Sequence, residues 1–514
     1  MPKFKSYDYN QMVMVPVAFD QQILSGTFEH SVNYLVDHEL DLSIFHHRFK
    51  NDDSGRPAYD PAILLKIVLL AYSRSVTSSR KIEALCRENV VFMAISADSR
   101  PHFTTIADFI SSSHKEIAQL FHQVLMICDN LGLIGREMFA IDGCKLPSNA
   151  SKEWSGTKAD LTKKSEKIER AVGHMLKKHR EEDRKGARDD SIRQREEKQI
   201  ATLRKASGKI KAFLAENDER TGISGKPVKS NITDNDSAKM KTGHGVIQGY
   251  NGVAAVDGKH QVVVAAEAYG QGQEHGLLEP MLDGVRDNLN RNGESDVLTE
   301  AKVLADSGYH NRKALGQLEE QGIDAYIADN GFRRRDPRFQ TADRHKAKEA
   351  PKPKSSKQRF TIHDFDANTE AQTCTCPAGK AMWLKCERAK IGNYLFMQFM
   401  GHQADCDACP LRAQCLRSVK QKGARQVNVV LATLPKDKKE DGPIERMKQK
   451  IDSDLGRHTY SMRLGIVEPV FGNIRETLGL RRFSLRGRIK VDAQWKLMTM
   501  IHNIFKVHRY GWAA

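Results

Sequence analysis

The stretch AKVLADSGYHN, residues 301–311, carries a run of apolar residues that stops at an acid, Asp306. Such a run predicts a buried strand followed by a Ser-Gly turn. Upstream, EMFAIDG (137–143) predicts a second short strand that ends at Asp142. Because open α/β sheets gather functional groups at the ends of their strands, we expect the two carboxylates to meet at one edge of a sheet. The alternative is that both acids only begin turns.

The residues around these two stretches continue the alternation of strands and helices. GYNGVAAVDGKHQVVVAAEAY (249–269) predicts two strands joined by a tight turn at Asp257-Gly258, a dipeptide typical of hairpins. EHGLLEPMLDGVRDNL (274–289) predicts a helix with one apolar face, and DAYIAD (324–329) predicts a further strand. The order strand, insertion, strand, strand, helix, strand, helix, strand predicts an α/β fold.

The insertion in this pattern has a different character. Over residues 158–220, charges of both signs are dense and apolar residues recur only sparsely, at helical spacing. This pattern predicts a long antiparallel helical hairpin, interrupted by RKGARDD at 184–190. Two interpretations remain open for it: a solvated structural hairpin, or an arm that tracks DNA.

Residues 1–130 are predicted to be helical. Asp60-Pro61 is a typical helix start, since Asp can cap a helix and Pro fits its first position. The run AILLKIVLLAY (62–72) that follows is apolar on nearly all sides, as in a buried core helix. Several short helices with basic residues between them favour a helix-turn-helix-like DNA-binding domain, and a plain helical bundle is the alternative.

Length, charge and composition exclude several classes of protein. The chain has 514 residues, which at roughly 150 per domain predicts about three domains. Lys and Arg number 81 against 65 Asp and Glu, and the resulting net charge of +16 favours an anionic polymer as partner. No apolar run approaches the length of a membrane span, and the first residues lack the apolar core of a secretion signal. We therefore expect a cytoplasmic protein with no membrane partner.

The segment before the C-terminal region is basic at first and cysteine-rich afterwards. Residues 331–360 carry prolines and many like charges, which is typical of a linker without regular structure. Six of the nine cysteines then lie between positions 374 and 415 and include a Cys-x-x-Cys pair. In a reducing compartment this spacing predicts a structural zinc (Zn²⁺) site, and redox-inert cysteines without metal are the alternative. The predicted ligands are Cys376, Cys406, Cys409 and Cys415.

Several motifs, taken in order, resemble one known family. IDGCKL (141–146), ADSGYHN (305–311) and VEPVFGNIRETLGLRRFSLRG (467–487) are similar to segments of the DDE transposases of bacterial insertion sequences. In the N-terminal part the resemblance rests on SGRPAYDPAILLKIVLLAY (54–72) and RPHFTTIADF (100–109). The most similar subgroup has a helical N-terminal domain and a cysteine-bearing segment before the glutamate.

The resemblance implies an RNase H-like catalytic core in which Asp142, Asp306 and Glu468 form the metal-binding triad. Carboxylates gathered in one cleft favour hard divalent cations, so the expected cofactor is Mg²⁺ or Mn²⁺. The implied reaction is cleavage of double-stranded DNA at transposon ends, followed by joining of the 3′ ends to target DNA. Pairing of two ends implies at least a homodimer on DNA, associated with the nucleoid.

The residues around the glutamate follow the family pattern with two departures. Tyr460, Arg463 and Arg475 occupy its DNA-binding positions, but four residues rather than three separate Arg463 from Glu468. The second departure is that Arg475 stands where the family has Lys, which keeps a phosphate-binding cation and favours bidentate contact. Glu468 and Arg475 share one helix face if the helix continues through Pro469. A basic run after the glutamate is expected to follow the DNA backbone: Arg481, Arg482, Arg486 and Arg488.

Two other functions remain open, namely a non-catalytic DNA-binding protein derived from a transposase and a metal-dependent nuclease that does not join strands. Asp234 and Asp236, in the loop before the first hairpin strand, are expected to cap or turn the chain, and direct binding of metal beside the triad is the alternative. The expected division of the chain is a helical DNA-binding domain at 1–130, core segments at 136–157 and 228–330, a charged helical hairpin at 158–227, a basic and cysteine-rich insertion at 331–430, and a helical C-terminal part of the core at 440–514.

Overall fold

The chain forms two compact units in this computed structural model. Unit 1 comprises residues 1–332 and 446–514, and unit 2 comprises residues 333–445. The structure describes residues 16–49, 57–185, 190–222, 225–243, 245–290, 296–339, 359–392, 394–416, 423–433 and 442–511.

The N-terminal part of unit 1 is helical. The predicted helix start at Asp60-Pro61 is confirmed, because the Asp60 carboxylate accepts a hydrogen bond from the backbone N–H of Ala62 at 2.8 Å. The helix that follows is buried from Leu64 to Tyr72, including Lys66, whose ammonium group pairs with Asp37. The helices of this part are α1 (Phe28–Tyr34), α2 (Pro61–Ser73), α3 (Ser79–Glu88), α4 (Val90–Ile95), α5 (Phe103–Ser112) and α6 (His114–Asn130).

Two long helices follow the first strand of unit 1 and pack against each other along a narrow seam. Near the seam's base, the buried hydroxyl groups of Ser165 and Ser207 are 2.8 Å apart. Further along, His179 Nε2 lies 2.6 Å from a Glu196 carboxylate oxygen. These pairs run in opposite directions along the chain, so the helices are antiparallel. The elements are β1 (Met138–Pro147), β2 (Ser155–Gly156), α7 (Lys158–Lys185), α8 (Asp190–Glu216) and β3 (Ser230–Asn231).

A mixed sheet forms the centre of unit 1. Its strands are β4 (Ala238–Thr242), β5 (Gly245–Asp257), β6 (Val263–Tyr269), β7 (Lys302–Ala305) and β8 (Asp324–Ile327), together with β1, and its helices are α9 (Leu278–Leu289), α10 (Val297–Glu300) and α11 (Arg312–Glu320). The sheet order is β5, β1, β7, β8, and the outer side of β5 pairs with β4 along its first part and with β6 along its second. β1 is antiparallel to β5 and parallel to β7, and β7 is parallel to β8.

Three predicted boundaries in this sheet were wrong. β1 does not end at Asp142 but continues to Pro147, because β5 keeps pairing with it beyond the point where its pairing with β7 ends. The β5–β6 turn is wider than a two-residue hairpin, since the N–H of Asp257 donates to the carbonyl of Val262. The helix predicted over 274–289 begins only at Leu278 and leaves Glu274 in the preceding loop.

Unit 2 holds a five-stranded antiparallel sheet that the cysteine-based interpretation did not foresee. Its core consists of six buried residues: Phe365, Cys374, Met382, Met397, Phe399 and Val427. Residues 340–358, most of the predicted linker, lie outside the described residues. The elements are α12 (Phe332–Arg335, at the junction of the units), β9 (Asp366–Asn368), β10 (Thr373–Thr375), β11 (Ala381–Ile391), β12 (Tyr394–Met400), α13 (Gln403–Asp407), α14 (Arg412–Cys415) and β13 (Gln426–Thr433).

The C-terminal helices return to unit 1 and pack on its sheet and on its N-terminal helices. They are α15 (Pro443–Asp452), α16 (Asp454–Gly472) and α17 (Arg488–Lys506). The Trp495 indole N–H donates to the carbonyl of Val253 at 2.9 Å, and its ring covers Gly252. The Asn503 amide bonds both the N–H and the carbonyl of Val263, at 2.8 Å each. On its other side α17 meets the N-terminal helices, where the rings of Phe28 and Phe505 stack with centroids 4.1 Å apart. Among the helices that the structure describes, none combines the length and apolar composition that crossing a membrane requires.

Candidate active site

The sheet brings Asp142 and Asp306 to neighbouring positions. β1 and β7 run parallel, and the last paired positions along them are Ile141 and Ala305. Each acid is the next residue along its strand, so both carboxylates leave the sheet at the same edge. The expected meeting of the two acids is therefore observed, although only β7 ends there.

Arg463, on α16, bridges the two acids. Its Nη1 lies 2.6 Å from Asp142 Oδ2 and its Nη2 lies 3.4 Å from Asp306 Oδ1. The guanidinium group is buried and also lies 5.8 Å from the centre of the Tyr460 ring. Burial lowers the pKa of Arg463, but the charges of Asp142, Tyr460 and Asp306 outweigh burial and hold that pKa above its usual value. Arg463 therefore keeps its positive charge between two carboxylates.

Asp142 lies in an environment that disfavours a bare negative charge. The pKa of Asp142 is raised to about 6, chiefly by burial and further by the charge of Asp306. The charge of Arg463 and the hydrogen bond from the Gly143 N–H lower this pKa and offset part of the rise. The Gly143 N–H donates to Asp142 Oδ1 at 2.7 Å. A poorly solvated carboxylate beside a second one attracts cations strongly, and here Arg463 supplies the positive charge.

Glu468 lies on the same helix as Arg463 but turns toward solvent. The five-residue separation rotates the two side chains by about 140° at 100° per residue, so Arg463 is buried and Glu468 is exposed. The helix continues through Pro469, as the shared face of Glu468 and Arg475 requires. Pro469 cannot donate to the carbonyl of Gly465, and the side-chain amide of Gln261 donates to it instead at 2.9 Å.

Cys144 marks the point where the groups from β1 and the C-terminal helices converge. It lies two residues after Asp142 on the same face of β1. Burial raises the pKa of its thiol to about 11; the charge of Arg475 opposes this and those of Asp142 and Glu468 reinforce it. Asp142, Glu468 and Arg475 thus all act on one thiol, and the thiol itself is far too weak an acid to be a nucleophile at neutral pH.

The arginines after the glutamate are exposed, but each also contacts the protein itself. Arg482 Nε donates to the carbonyl of Ser148 at 3.0 Å, and Arg486 Nε donates to that of Asn149 at 2.8 Å. Arg481 pairs with Glu476 at 2.6 Å. Arg488 lies over the ring of Tyr269, 5.4 Å from its centre. Arg482 and Arg486 therefore anchor the chain just beyond β1, with one face of each residue still open to solvent.

Asp234 and Asp236 hold the beginning of α17. Asp234 Oδ1 accepts hydrogen bonds from the Tyr250 hydroxyl at 2.7 Å and from the Gly487 N–H at 3.2 Å. Asp236 Oδ2 accepts one from the Arg488 N–H at 2.8 Å. The expected capping role of these two acids is confirmed.

Sequence reasoning missed three polar residues beside the two strand-end acids. Lys145 of β1 and Asn251 of β5 lie opposite each other in the sheet register, and both contact Glu274. Glu274 was assigned to the first position of a helix, which concealed it. The available signal was its place in a loop between a strand and a helix, where functional side chains often lie.

In unit 2, the four cysteines predicted to bind zinc line one pocket with His402. Burial raises the pKa of the Cys415 thiol; Arg425 lowers it, and Cys406, Cys376 and Cys409 raise it further, which places all four thiols within electrostatic reach of each other. As positioned, however, no three histidine, cysteine or acidic side chains within the described part of either unit are arranged to ligate one ion. The donor atoms of both sites are of the kinds that bind metal ions. In unit 1, Asp142 and Asp306 pair with Arg463, and in unit 2 the described thiols are not arranged around a single point.

Two family models match this chain. A transposase domain family of otherwise undefined function (DUF772) matches residues 17–112, the N-terminal helices of unit 1. The transposase DDE domain matches residues 375–508, from the cysteine-rich part of unit 2 through α15, α16 and α17. Neither a curated protein nor a solved structure gave a significant match. The two family matches agree with the resemblance in the sequence: they support an enzyme of the DNA-cleaving class, and together they indicate an insertion-sequence DDE transposase family.

Proposed function

We propose that this transposase binds double-stranded DNA at transposon ends, cleaves it at a divalent-cation site formed by Asp142, Asp306 and Glu468, and joins the 3′ ends to target DNA. One observation carries the proposal: Arg463 bridges Asp142 and Asp306 with contacts of 2.6 and 3.4 Å, from the helix that also bears Glu468. The carboxylates of Asp142 and Asp306, which are far apart in the sequence, thus lie side by side, and their negative charges favour a cation between them.

The sheet topology supports an RNase H-like core as part of this proposal. An antiparallel hairpin precedes two parallel strands in the order β6, β5, β1, β7, β8, with β1 central. In this arrangement the first and fourth strands of the core are neighbours and carry the first two acids of the proposed triad at one edge.

The donor set of the site fits Mg²⁺ or Mn²⁺, ions that DDE transposases generally use. A bound divalent cation offsets the charge that develops on a phosphodiester and lowers the pKa of the attacking water or hydroxyl. Asp142 and Asp306 supply hard oxygen donors at neighbouring strand ends, and burial around Asp142 strengthens its attraction for a cation. Arg463 would exchange its carboxylate partners for DNA phosphate, which its planar group can hold in a bidentate way.

The proposed DNA contacts surround this site. Tyr460 and Arg463 lie on one side of α16, while the exposed Arg475 follows one helical segment later. The solvent-facing sides of Arg481, Arg482, Arg486 and Arg488 extend the positive surface, and their anchoring to residues 148 and 149 connects it with β1. Binding to phosphate by such groups weakens steeply as salt concentration rises. Pairing of two transposon ends calls for at least two copies of the chain, a part of the proposal that follows from the reaction alone.

In unit 2 we propose a structural zinc site with Cys376, Cys406, Cys409 and Cys415 as ligands. Their shared pocket supports it, because four thiols at the wall of one cavity match the ligand set of structural zinc.

The test is an end-joining assay with the full-length protein. DNA from the two sides of the gene is supplied with Mg²⁺, Mn²⁺ or neither, together with a plasmid target. We expect cleavage at short inverted repeats and joined products with either ion, and a loss of several orders of magnitude in Asp306→Asn. Glu320→Gln, which removes an exposed carboxylate from α11, is the matched control and should react as the wild type does.

Cleavage without joining would assign the chain to metal-dependent nucleases instead. Specific binding to the ends without any cleavage would indicate a non-catalytic DNA-binding protein. Activity near the wild-type level in Asp306→Asn would remove this residue from the triad.

A further inference from the structure

A second group of polar side chains adjoins Asp142 and Asp306, and the proposed triad does not use it. At its centre is Glu274, in the loop between β6 and α9, whose side chain is only 11% exposed. Burying a carboxylate to this degree costs free energy unless hydrogen bonds or cations compensate for it.

The Glu274 carboxylate lies against the chain that follows Asp306. Oε1 accepts a hydrogen bond from Asn251 Nδ2 at 3.2 Å and lies 3.4 Å from the Lys145 ammonium nitrogen. A Cβ atom placed on Gly308 would come within 2.1 Å of Oε2. Gly308, two residues after Asp306, therefore leaves the space that brings this carboxylate to the strand end.

Asn251 connects Glu274 with the other acid. It is completely buried, and its Oδ1 has no hydrogen-bond partner among the described residues. A Cβ atom on Gly143 would lie 2.6 Å from that oxygen, so the unpaired acceptor faces the residue that follows Asp142. Unpaired buried acceptors are rare in native proteins. This oxygen could bind a cation directly or accept a hydrogen bond from a water molecule bound to the cation.

Tyr309 gives a second sign of the same kind. Its hydroxyl is buried and also has no partner within the described part of the chain. Burial raises the pKa of this phenol first, and the charges of Glu274, Asp142 and Asp306 raise it further. One side chain thus lies within reach of all three carboxylates, which are otherwise separated along the sequence.

From this geometry we infer that Glu274 is a fourth acidic residue of the cation site, and that its carboxylate and the side-chain oxygen Oδ1 of Asn251 help to hold the ion. The inference rests on the proposed function. Oxygen donors of this kind suit hard divalent cations. The Lys145 ammonium group, which contacts the same carboxylate, would compete with the ion for it. In a simpler interpretation, Glu274 is only the ion-pair partner of Lys145. The two interpretations predict different effects on Mn²⁺ binding when Lys145 and Glu274 are changed together.

The test measures binding of Mn²⁺ alone to the full-length protein without DNA, by electron paramagnetic resonance of the free ion. Glu274→Gln is expected to weaken the site by about tenfold or more. Glu279→Gln, five residues away on α9, is the control and should bind as the wild type does, since the exposed Glu279 carboxylate accepts hydrogen bonds from Gln317 on α11. Circular dichroism shows whether each variant is folded, and Glu274→Asp, which keeps the charge, should retain more affinity than Glu274→Gln.

A double-mutant cycle separates ion binding from simple charge effects. Lys145→Met should tighten Mn²⁺ binding when Glu274 is present and have a much smaller effect in Glu274→Gln. Equal effects in both backgrounds would overturn the inference. If Asp306→Asn weakens binding and Glu274→Gln does not, the inference fails while the proposed triad stands. If the wild type does not bind Mn²⁺ at this site, both fail.

Discussion

In unit 1 the proposed metal ligands come from positions 142, 306 and 468, whereas the four cysteines of unit 2 lie within residues 376–415. Two of the three acids of unit 1, Asp142 and Asp306, extend from β1 and β7, and each of these strands pairs with a neighbouring strand on both sides. The cysteines of unit 2 adjoin a small core, in which six buried residues form one cluster within the described part of the unit. A fold of the first kind can hold its site without a metal, while a unit of the second kind depends on its ligands for stability.

The largest effect is therefore expected in unit 2. Cys409→Ser should lower the zinc content of the purified protein from about one per chain to near zero and cause loss of the unit's cooperative fold. Elemental analysis measures the zinc, and limited proteolysis should show new cleavage within residues 359–433. Cys386→Ser is the control, because Cys386 lies on β11 and is not among the residues that line the pocket. Full protection of unit 2 in zinc-free protein would remove the contrast between the units.

The opposite result is expected when a ligand of unit 1 is changed. Burial raises the pKa of Asp142 from 3.8 to about 6, so its ionised form destabilises the folded state above that pH. The raised pKa, which already includes the pairing with Arg463, is worth about 3 kcal/mol, so Asp142→Asn should gain up to about 3 kcal/mol at pH 7.5 without added cations.

The sign of this effect depends on pH. As the pH falls through 6 toward 3.8 the wild-type carboxyl becomes protonated first in the folded state and then in the unfolded state, so most of the gain from Asp142→Asn should disappear by pH 4. Urea unfolding at pH 4 and pH 7.5 measures the difference, and strand cleavage by the same variant should be lost. A clear destabilisation at pH 7.5 would show that the Asp142–Arg463 pair outweighs the cost of burial.

A smaller effect of pH is expected away from both sites. His502 of α17 is buried, and its Nε2 lies 2.9 Å from the carbonyl oxygen of Gln261. Burial lowers the pKa of His502 from 6.5 to about 4, so the unfolded state binds the proton first and stability falls as pH drops from about 6.5 toward 4. Between pH 7.5 and 5.5 the wild type should lose about 1 kcal/mol more than His502→Gln, as measured by urea unfolding. Equal losses would mean that His502 titrates normally.

Local patterns predicted the parts of the fold that depend on local chemistry. The capped start of α2 and the end of β7 before Asp306 followed from an Asp-Pro pair and from an apolar run that stops at an acid. The end of β1 was missed because its pairing with β5 continues after its pairing with β7 stops, which is a property of the partner strands. The strands of unit 2 were missed although β12 and β13 carry apolar runs, because the interpretation of this segment rested on its cysteines.

The candidate site divides in the same way. A rule about strand ends was enough to expect Asp142 and Asp306 together, since both stand at the ends of apolar runs. The bridge by Arg463 depends on how α16 packs against the sheet, and no local pattern contains that information. Glu274 was concealed by a helix assigned four residues too early, because the Glu-His-Gly-Leu-Leu run fits helical spacing equally well.

The turn between β5 and β6 has a consequence for anyone who would modify this protein. Turns between neighbouring strands are ordinarily the safest places for tags, inserted domains or new chain ends. Here Asp257 accepts hydrogen bonds from the N–H groups of Gly135 and Arg136, while Gln261 reaches both α16, at Gly465, and α17, at His502. One extra residue in this turn would detach the segment before β1 and both C-terminal helices at once, so a tolerated insertion must be sought elsewhere.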